Sequence, residues 1–196
     1  MGWFTGFAIA ATITVLAVGG VLWPLGHLLI EEFTRPGVTI EQGTPQWGDW
    51  AFPEAVEEPL KDSRRTVTFQ AADGVLLCGE FWAQKCGAPT IIVSHGFHLP
   101  SRYFRSVAAL EYAYGANVLL FDYRGHGESS LVPTTCGNAE VNDLLAAVEV
   151  AARQRETMRG KVYVHGFSMG AAVAFLLPAH PALAGIIADS PYCSAG

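Results

Sequence analysis

The sequence predicts an α/β fold, a mostly parallel sheet with helices on both faces, preceded by a membrane-spanning helix. Three observations carry that expectation. The first 30 residues contain no Lys, Arg, Asp or Glu. Beyond residue 62, short unbroken apolar runs alternate with stretches of helical character, the rhythm of strands buried on both faces and of the helices that cover them. A Gly-x-Ser-x-Gly sequence, Gly166-Phe167-Ser168-Met169-Gly170, stands where one such run meets a helix.

The apolar stretch over residues 7–29 is long enough, as a helix rising ~1.5 Å per residue, to cross a hydrocarbon core of ~30 Å. Residues 1–30 therefore read as a single-pass membrane anchor. A cleaved signal peptide is the competing reading; it usually wants a basic leader, and residues 1–6 contain neither Lys nor Arg. Arg35 is the first cation after the span and places the globular part weakly on the cytoplasmic side. Residues 31–62 read as a linker, with Pro36, Pro45, Pro53 and Pro59 among acidic side chains. Its Trp47, Trp50 and Phe52 suit either the bilayer interface or the surface of the domain that follows.

The formal net charge is −6 and no block of basic residues occurs, which excludes nucleic acid as a partner. Cys78, Cys86, Cys136 and Cys193 lack C-x-x-C or Cys/His ligand spacing, so they read as free thiols and imply no metal site.

Residues 63–196 form the folded domain. An antiparallel pair is expected at 65–70 and 75–82, around the Asp73-Gly74 turn. Buried parallel strands follow at 90–94 (TIIVS), 117–122 (NVLLFD), 161–165 (KVYVH) and 184–189 (AGIIAD). Helices fit 101–114, 138–159 and 168–177, the last stopped by Pro178 and Pro181. In such sheets ligands bind at the carboxyl ends of the strands, so the residues following each strand are the candidates for chemistry.

The strand at 161–165 runs directly into the motif around Ser168. A tight strand-to-helix bend presents the hydroxyl, and Gly166 and Gly170 leave room for neighbouring backbone. The strand at 90–94 ends in His95-Gly96-Phe97. The backbone N–H of Phe97, with that of Met169, fits an oxyanion hole beside Ser168. His95 and Gly96 support that turn, His95 as a structural imidazole. The strand at 117–122 ends in Asp122-Tyr123-Arg124-Gly125-His126-Gly127-Glu128-Ser129, which reads as a turn held by two glycines and an Asp/Arg pair.

In that order on successive strands, H-G-F, D-Y-R-G-H-G-E-S and G-F-S-M-G resemble the α/β-hydrolase superfamily. Within it the motifs are similar to serine aminopeptidase S33-like, monoglyceride lipase-like and Bem46-like hydrolases. The resemblance covers residues 64–194. It implies Ser168 as nucleophile, Phe97 and Met169 as oxyanion donors, and the loop from Asp122 to Ser129 as a structural signature.

The same resemblance expects an Asp or Glu and then a His after the nucleophile. Only 28 residues follow Ser168, and their His180 and Asp189 stand in the reverse order. The chain thus reads as the amino-terminal part of a longer hydrolase, incomplete at its carboxyl end. The expected function is a membrane-anchored serine hydrolase, of carboxylesterase, lipase or peptidase type, acting on a small-molecule or lipid ester or amide through acyl-Ser168. The triad His and acid are missing from this chain. The alternative is a catalytically inactive, membrane-anchored remnant that serves as a binding module. No cofactor is implied.

Overall fold

The computed structural model describes residues 63–192 continuously, and before them residues 20, 22–30 and 34–35. Contacts divide the chain into two units, Met1–Thr34 and Arg35–Gly196. The expected membrane span at 7–29 lies mostly outside the described residues, as does the linker at 31–62. Of the span, residue 20 and residues 22–29 are helical, and the helix runs on to residue 30. Among the described residues no helix is long and apolar enough to cross a membrane.

In the second unit the described elements are β1 (Arg64–Gln70), β2 (Leu76–Trp82), β3 (Ala88–Ser94), a 3₁₀ turn (Ser101–Phe104), α1 (Arg105–Ala113), β4 (Asn117–Phe121), α2 (Glu140–Arg153), β5 (Thr157–Phe167), α3 (Met169–Phe175) and β6 (Leu183–Asp189). They build a six-stranded sheet in the order β1-β2-β4-β3-β5-β6. β1 and β2 are antiparallel, as are β2 and β4; β4, β3, β5 and β6 run parallel. This is the mostly parallel sheet that the apolar runs predict.

Strand alternation sends successive side chains to opposite faces and so creates two cores. Ile92, Leu119, Phe121 and Val164 pack on one face with Leu144, Ala147, Val148 and Ala151 of α2 and Met169 and Val173 of α3. The α2 positions recur at the spacing of an inward helical stripe. Val93, Val118 and Leu120 face the other way, against Ala108 and Ala109 of α1. Helices thus cover both faces.

One boundary differs from expectation. Helical character was expected to residue 159, yet α2 ends at Arg153 with Gln154 extended, and β5 already begins at Thr157. The reason is tertiary. The Glu156 carboxylate accepts hydrogen bonds from Arg65 and Arg155, the Thr157 hydroxyl meets that of Thr90 at 2.6 Å, and Thr157 pairs with Ala88. Long-range partners on β1 and β3 override a local preference for helix.

Candidate active site

β5 delivers Phe167 to the carboxyl edge of the sheet, and the chain reverses into α3 through one residue, Ser168. That residue has φ 49° and ψ −110°, a positive-φ conformation uncommon for a residue with a Cβ. Such geometry costs ~1–3 kcal/mol and persists where the surroundings dictate it. Here they do: the Ser168 N–H donates to the Asp189 carbonyl at 2.9 Å, and its own carbonyl accepts from Ala172 N–H at 3.0 Å. Ser168 is exposed, whereas Met169 behind it is fully buried.

The flanking glycines are required by contact. A Cβ on Gly166 would lie 2.6 Å from the Gly170 carbonyl oxygen and 2.7 Å from Ala171 backbone. A Cβ on Gly170 would lie 2.3 Å from the Ser94 carbonyl oxygen and 2.7 Å from that of His95. Through Gly170 the start of α3 is pressed onto the end of β3, which brings the loop after β3 beside Ser168. A Cβ placed on Gly96 would touch Ser168 Cβ at 3.4 Å.

That loop is held from the next strand's end. His95 is buried; its Nδ1–H donates to the Gly96 carbonyl at 2.7 Å and its Nε2 accepts from Tyr123 N–H at 2.9 Å. A carbonyl can only accept, so both contacts together require the neutral Nδ1–H tautomer. Burial pushes the His95 pKa below its ordinary value, against the pull of Asp122. Neutral and doubly engaged, His95 ties the start of the loop after β3 to the end of β4.

Asp122 and Arg124 do not pair with each other, contrary to the expected turn. Asp122 Oδ1 accepts from Ser101 N–H at 2.6 Å and Oδ2 from Glu128 N–H at 3.0 Å. Arg124 instead reaches Asp143 on α2 at 2.6 Å and Asp73 in the β1–β2 turn at 2.7 Å. The residue types are those expected; the partners lie elsewhere in the chain and carry no local signal.

Two further imidazoles, His165 and His180, are engaged away from Ser168. His165 meets Glu111 on α1 at 2.8 Å. His180 precedes the amino end of β6, where its Nδ1 accepts from Ala182 N–H. β6 pairs Leu183 with Val162 and Asp189 with Phe167, so His180 sits a strand's length, roughly 20 Å, from the Ser168 end. Among the described residues no side chain hydrogen-bonds the Ser168 hydroxyl.

A family model described as the alpha/beta hydrolase family matches residues 91–196. This chain belongs to that family. An uncharacterized protein of Mycobacterium tuberculosis is 32% identical over 150 residues, 73% of this chain and 52% of that protein. The uncharacterized protein YqkD of Bacillus subtilis is 29% identical over 170 residues, 86% of this chain and 53% of that protein. Among solved structures, the Pyrococcus furiosus esterase Pf2001 matches with 34% identity and a TM-score of 0.61, covering 69% of this chain and 53% of that one. The hydrolase-family chain spans about half the length of the curated relatives it matches.

Sequence reasoning about this alpha/beta hydrolase missed the residues that secure the site from a distance. Asp143 is fully buried under Arg124, and Glu140, also fully buried, accepts from the Thr134 and Thr135 hydroxyls and from the Thr135 and Gly137 N–H groups. Burial opposes the Glu140 charge, but these donors outweigh it and hold the carboxyl below its ordinary pKa. The available signal was two acids in the first turn of an amphipathic helix.

Proposed function

We propose that this chain is the nucleophile-bearing part of a serine hydrolase that cleaves an ester or amide through an acyl-Ser168 intermediate. One observation carries the reading: an exposed Ser at φ 49°, between two glycines at which a Cβ would collide with backbone, at the carboxyl end of an interior parallel strand. Strain of that kind, in a family built on this bend, belongs to a reacting group.

In this mechanism Ser168 Oγ attacks the carbonyl carbon while its proton passes to a base. The carbonyl oxygen becomes an oxyanion facing the N–H groups of Phe97 and Met169. Collapse expels the alcohol or amine, which leaves with a proton, and water then releases the acid and restores Ser168. A Ser hydroxyl needs that base near neutral pH, and His180, His165, His95 and His126 are committed elsewhere. We assign the base and its carboxylate partner to sequence outside these 196 residues, because the family places an acid and then a His after the nucleophile and here His180 and Asp189 stand in the reverse order. The likeness to an esterase favours small-molecule or lipid esters over amides.

Membrane attachment belongs to the same proposal. The first 30 residues carry no formal charge, and the helix at 22–30 leaves Leu22, Trp23, Leu25, Leu28, Leu29 and Ile30 exposed. A single-pass anchor with the domain on the cytoplasmic side fits both features.

The test is covalent labelling with a fluorophosphonate probe of the protein as its gene encodes it. Wild type is expected to label and Ser168→Ala to lose the signal. Equal labelling of the two removes the enzyme reading and leaves a binding module in its place.

A further inference from the structure

Resting on the serine-hydrolase reading, we propose that His126 is a positioning residue: its Nε2 holds the His98 N–H and thereby fixes the loop that carries the Phe97 N–H beside Ser168.

The loop between β3 and the 3₁₀ turn has no ladder of its own, yet an oxyanion donor works only if it is aimed before charge develops. The turn after β4 grips this loop at three points. Tyr123 N–H donates to His95 at one end, Ser101 N–H donates to Asp122 at the other, and His98 N–H donates to His126 Nε2 at 3.3 Å between them. His98 has φ 63°, so the middle of the loop is strained and relaxes without a partner. The His126 ring also forms the wall behind the loop. It lies edge-on to Phe97 with centroids 6.0 Å apart and to His95 with centroids 5.0 Å apart.

His126 can only accept from His98. Its Nδ1 is 2.8 Å from the Arg124 carbonyl, which can only accept a hydrogen bond, so the proton sits on Nδ1 and the lone pair is left on Nε2. That carbonyl is itself fixed, because the Arg124 side chain is clamped between Asp143 and Asp73. The order of α2 is thus passed through Arg124 and His126 to the donor loop. The acids facing His126 are Asp122 and Glu140, which favour its charge; burial and His95 oppose it and push its pKa down to about 3. A proton on Nε2 would set two donors head to head and open the loop.

The proposal is tested on the full chain with three measurements. Phe at position 126 fills the wall but cannot accept a hydrogen bond, whereas Gln can. In His126→Phe the fluorophosphonate labelling rate is expected to fall about tenfold or more, because a misaimed oxyanion donor is largely lost. Amide exchange at His98 should rise by a similar factor, about one hydrogen bond's worth. His126→Gln should hold both within about threefold of wild type, as expected where an acceptor is conserved. The third measurement needs no variant: nitrogen chemical shifts of wild-type His126 should report the Nδ1–H tautomer with a bare Nε2.

Wild-type labelling in His126→Phe overturns the proposal whatever the exchange shows, and so does the opposite tautomer. If the Phe variant fails to fold, the Gln variant and the tautomer decide. If wild type labels no better than Ser168→Ala, the serine reading fails; unchanged His98 exchange in His126→Phe then overturns the positioning role separately.

Discussion

Four non-glycine residues among those described have positive φ: His98, Cys136, Ser168 and Ser190. Three of them stand just past the carboxyl ends of β3, β5 and β6, the edge where this fold carries its chemistry. Two neutral imidazoles brace that edge, and their protonation makes it sensitive to acid. Burial, aided for His126 by neighbouring His95, lowers both pKa values in the folded state, His126 from 6.5 to about 3. Below pH 6.5 the unfolded chain binds protons that the folded chain refuses, so stability rises with pH across this window and is lost as pH falls. Each imidazole contributes a slope of up to about 1.4 kcal/mol per pH unit. Denaturant midpoints measured from about pH 6.5 down to about 5, above most carboxylate titration, should therefore decline, and His126→Gln should make that decline shallower. An unchanged slope in the variant removes His126 from the account. The sequence motif pointed to Ser168 because its signal is local, two glycines within two positions. His126 was illegible because its partner, His98, lies 28 residues away and becomes a neighbour only through the β3–β4 pairing.

At the scale of elements, the site is a meeting of two ends: the end of β3 and the start of α3, pressed together at Gly170. A methyl group there would meet the Ser94 hydroxyl and the carbonyl oxygens of Ser94 and His95, and those backbone oxygens cannot swing aside as the end of a side chain can. Gly170→Ala should cost about 3 kcal/mol, the upper range of overpacking, and lower Ser168 labelling at least as much as His126→Phe. Gly96→Ala is the matched control. Its Cβ would make only an ordinary contact, 3.4 Å from Ser168 Cβ, and its cost should stay below about 1 kcal/mol. Chemical denaturation of both variants checks the pair, and equal costs would place the strain elsewhere. The parallel strands were readable as elements because burial on both faces writes an unbroken apolar run. The end of α2 was not, because Arg65, Thr90 and Ala88, which hold Glu156 and draw Thr157 into β5, belong to strands far off in the chain.

On the scale of the whole molecule, the distribution of charge separates two environments. Every Lys, Arg, Asp and Glu falls after residue 30, so the leader has no formally charged side chain; the linker at 31–62 carries the whole formal charge of −6, and in residues 63–196 the cationic and acidic side chains balance. Transfer of ~20 apolar residues into hydrocarbon is effectively irreversible, whereas attachment of an acidic linker and a domain without net charge to a bilayer surface by charge alone is not favoured and is screened by salt. The two modes predict different fractionation. If residues 1–30 span the bilayer, the protein should remain with membranes through high salt and alkaline carbonate and enter solution only with detergent. A chain starting at residue 31 should appear in the soluble fraction, with Ser168 labelling preserved if labelling depends only on the domain. Release of the intact chain by salt would show peripheral binding, and recovery of a soluble form shortened at its amino terminus would favour the cleaved signal over the anchor. Esterase turnover on short-chain soluble esters should be the same for both chains. On the proposed mechanism a tether would alter which substrates are encountered, whereas the rate at an acyl bond already seated would be set by the bend at Ser168 and the loop that His126 is proposed to hold.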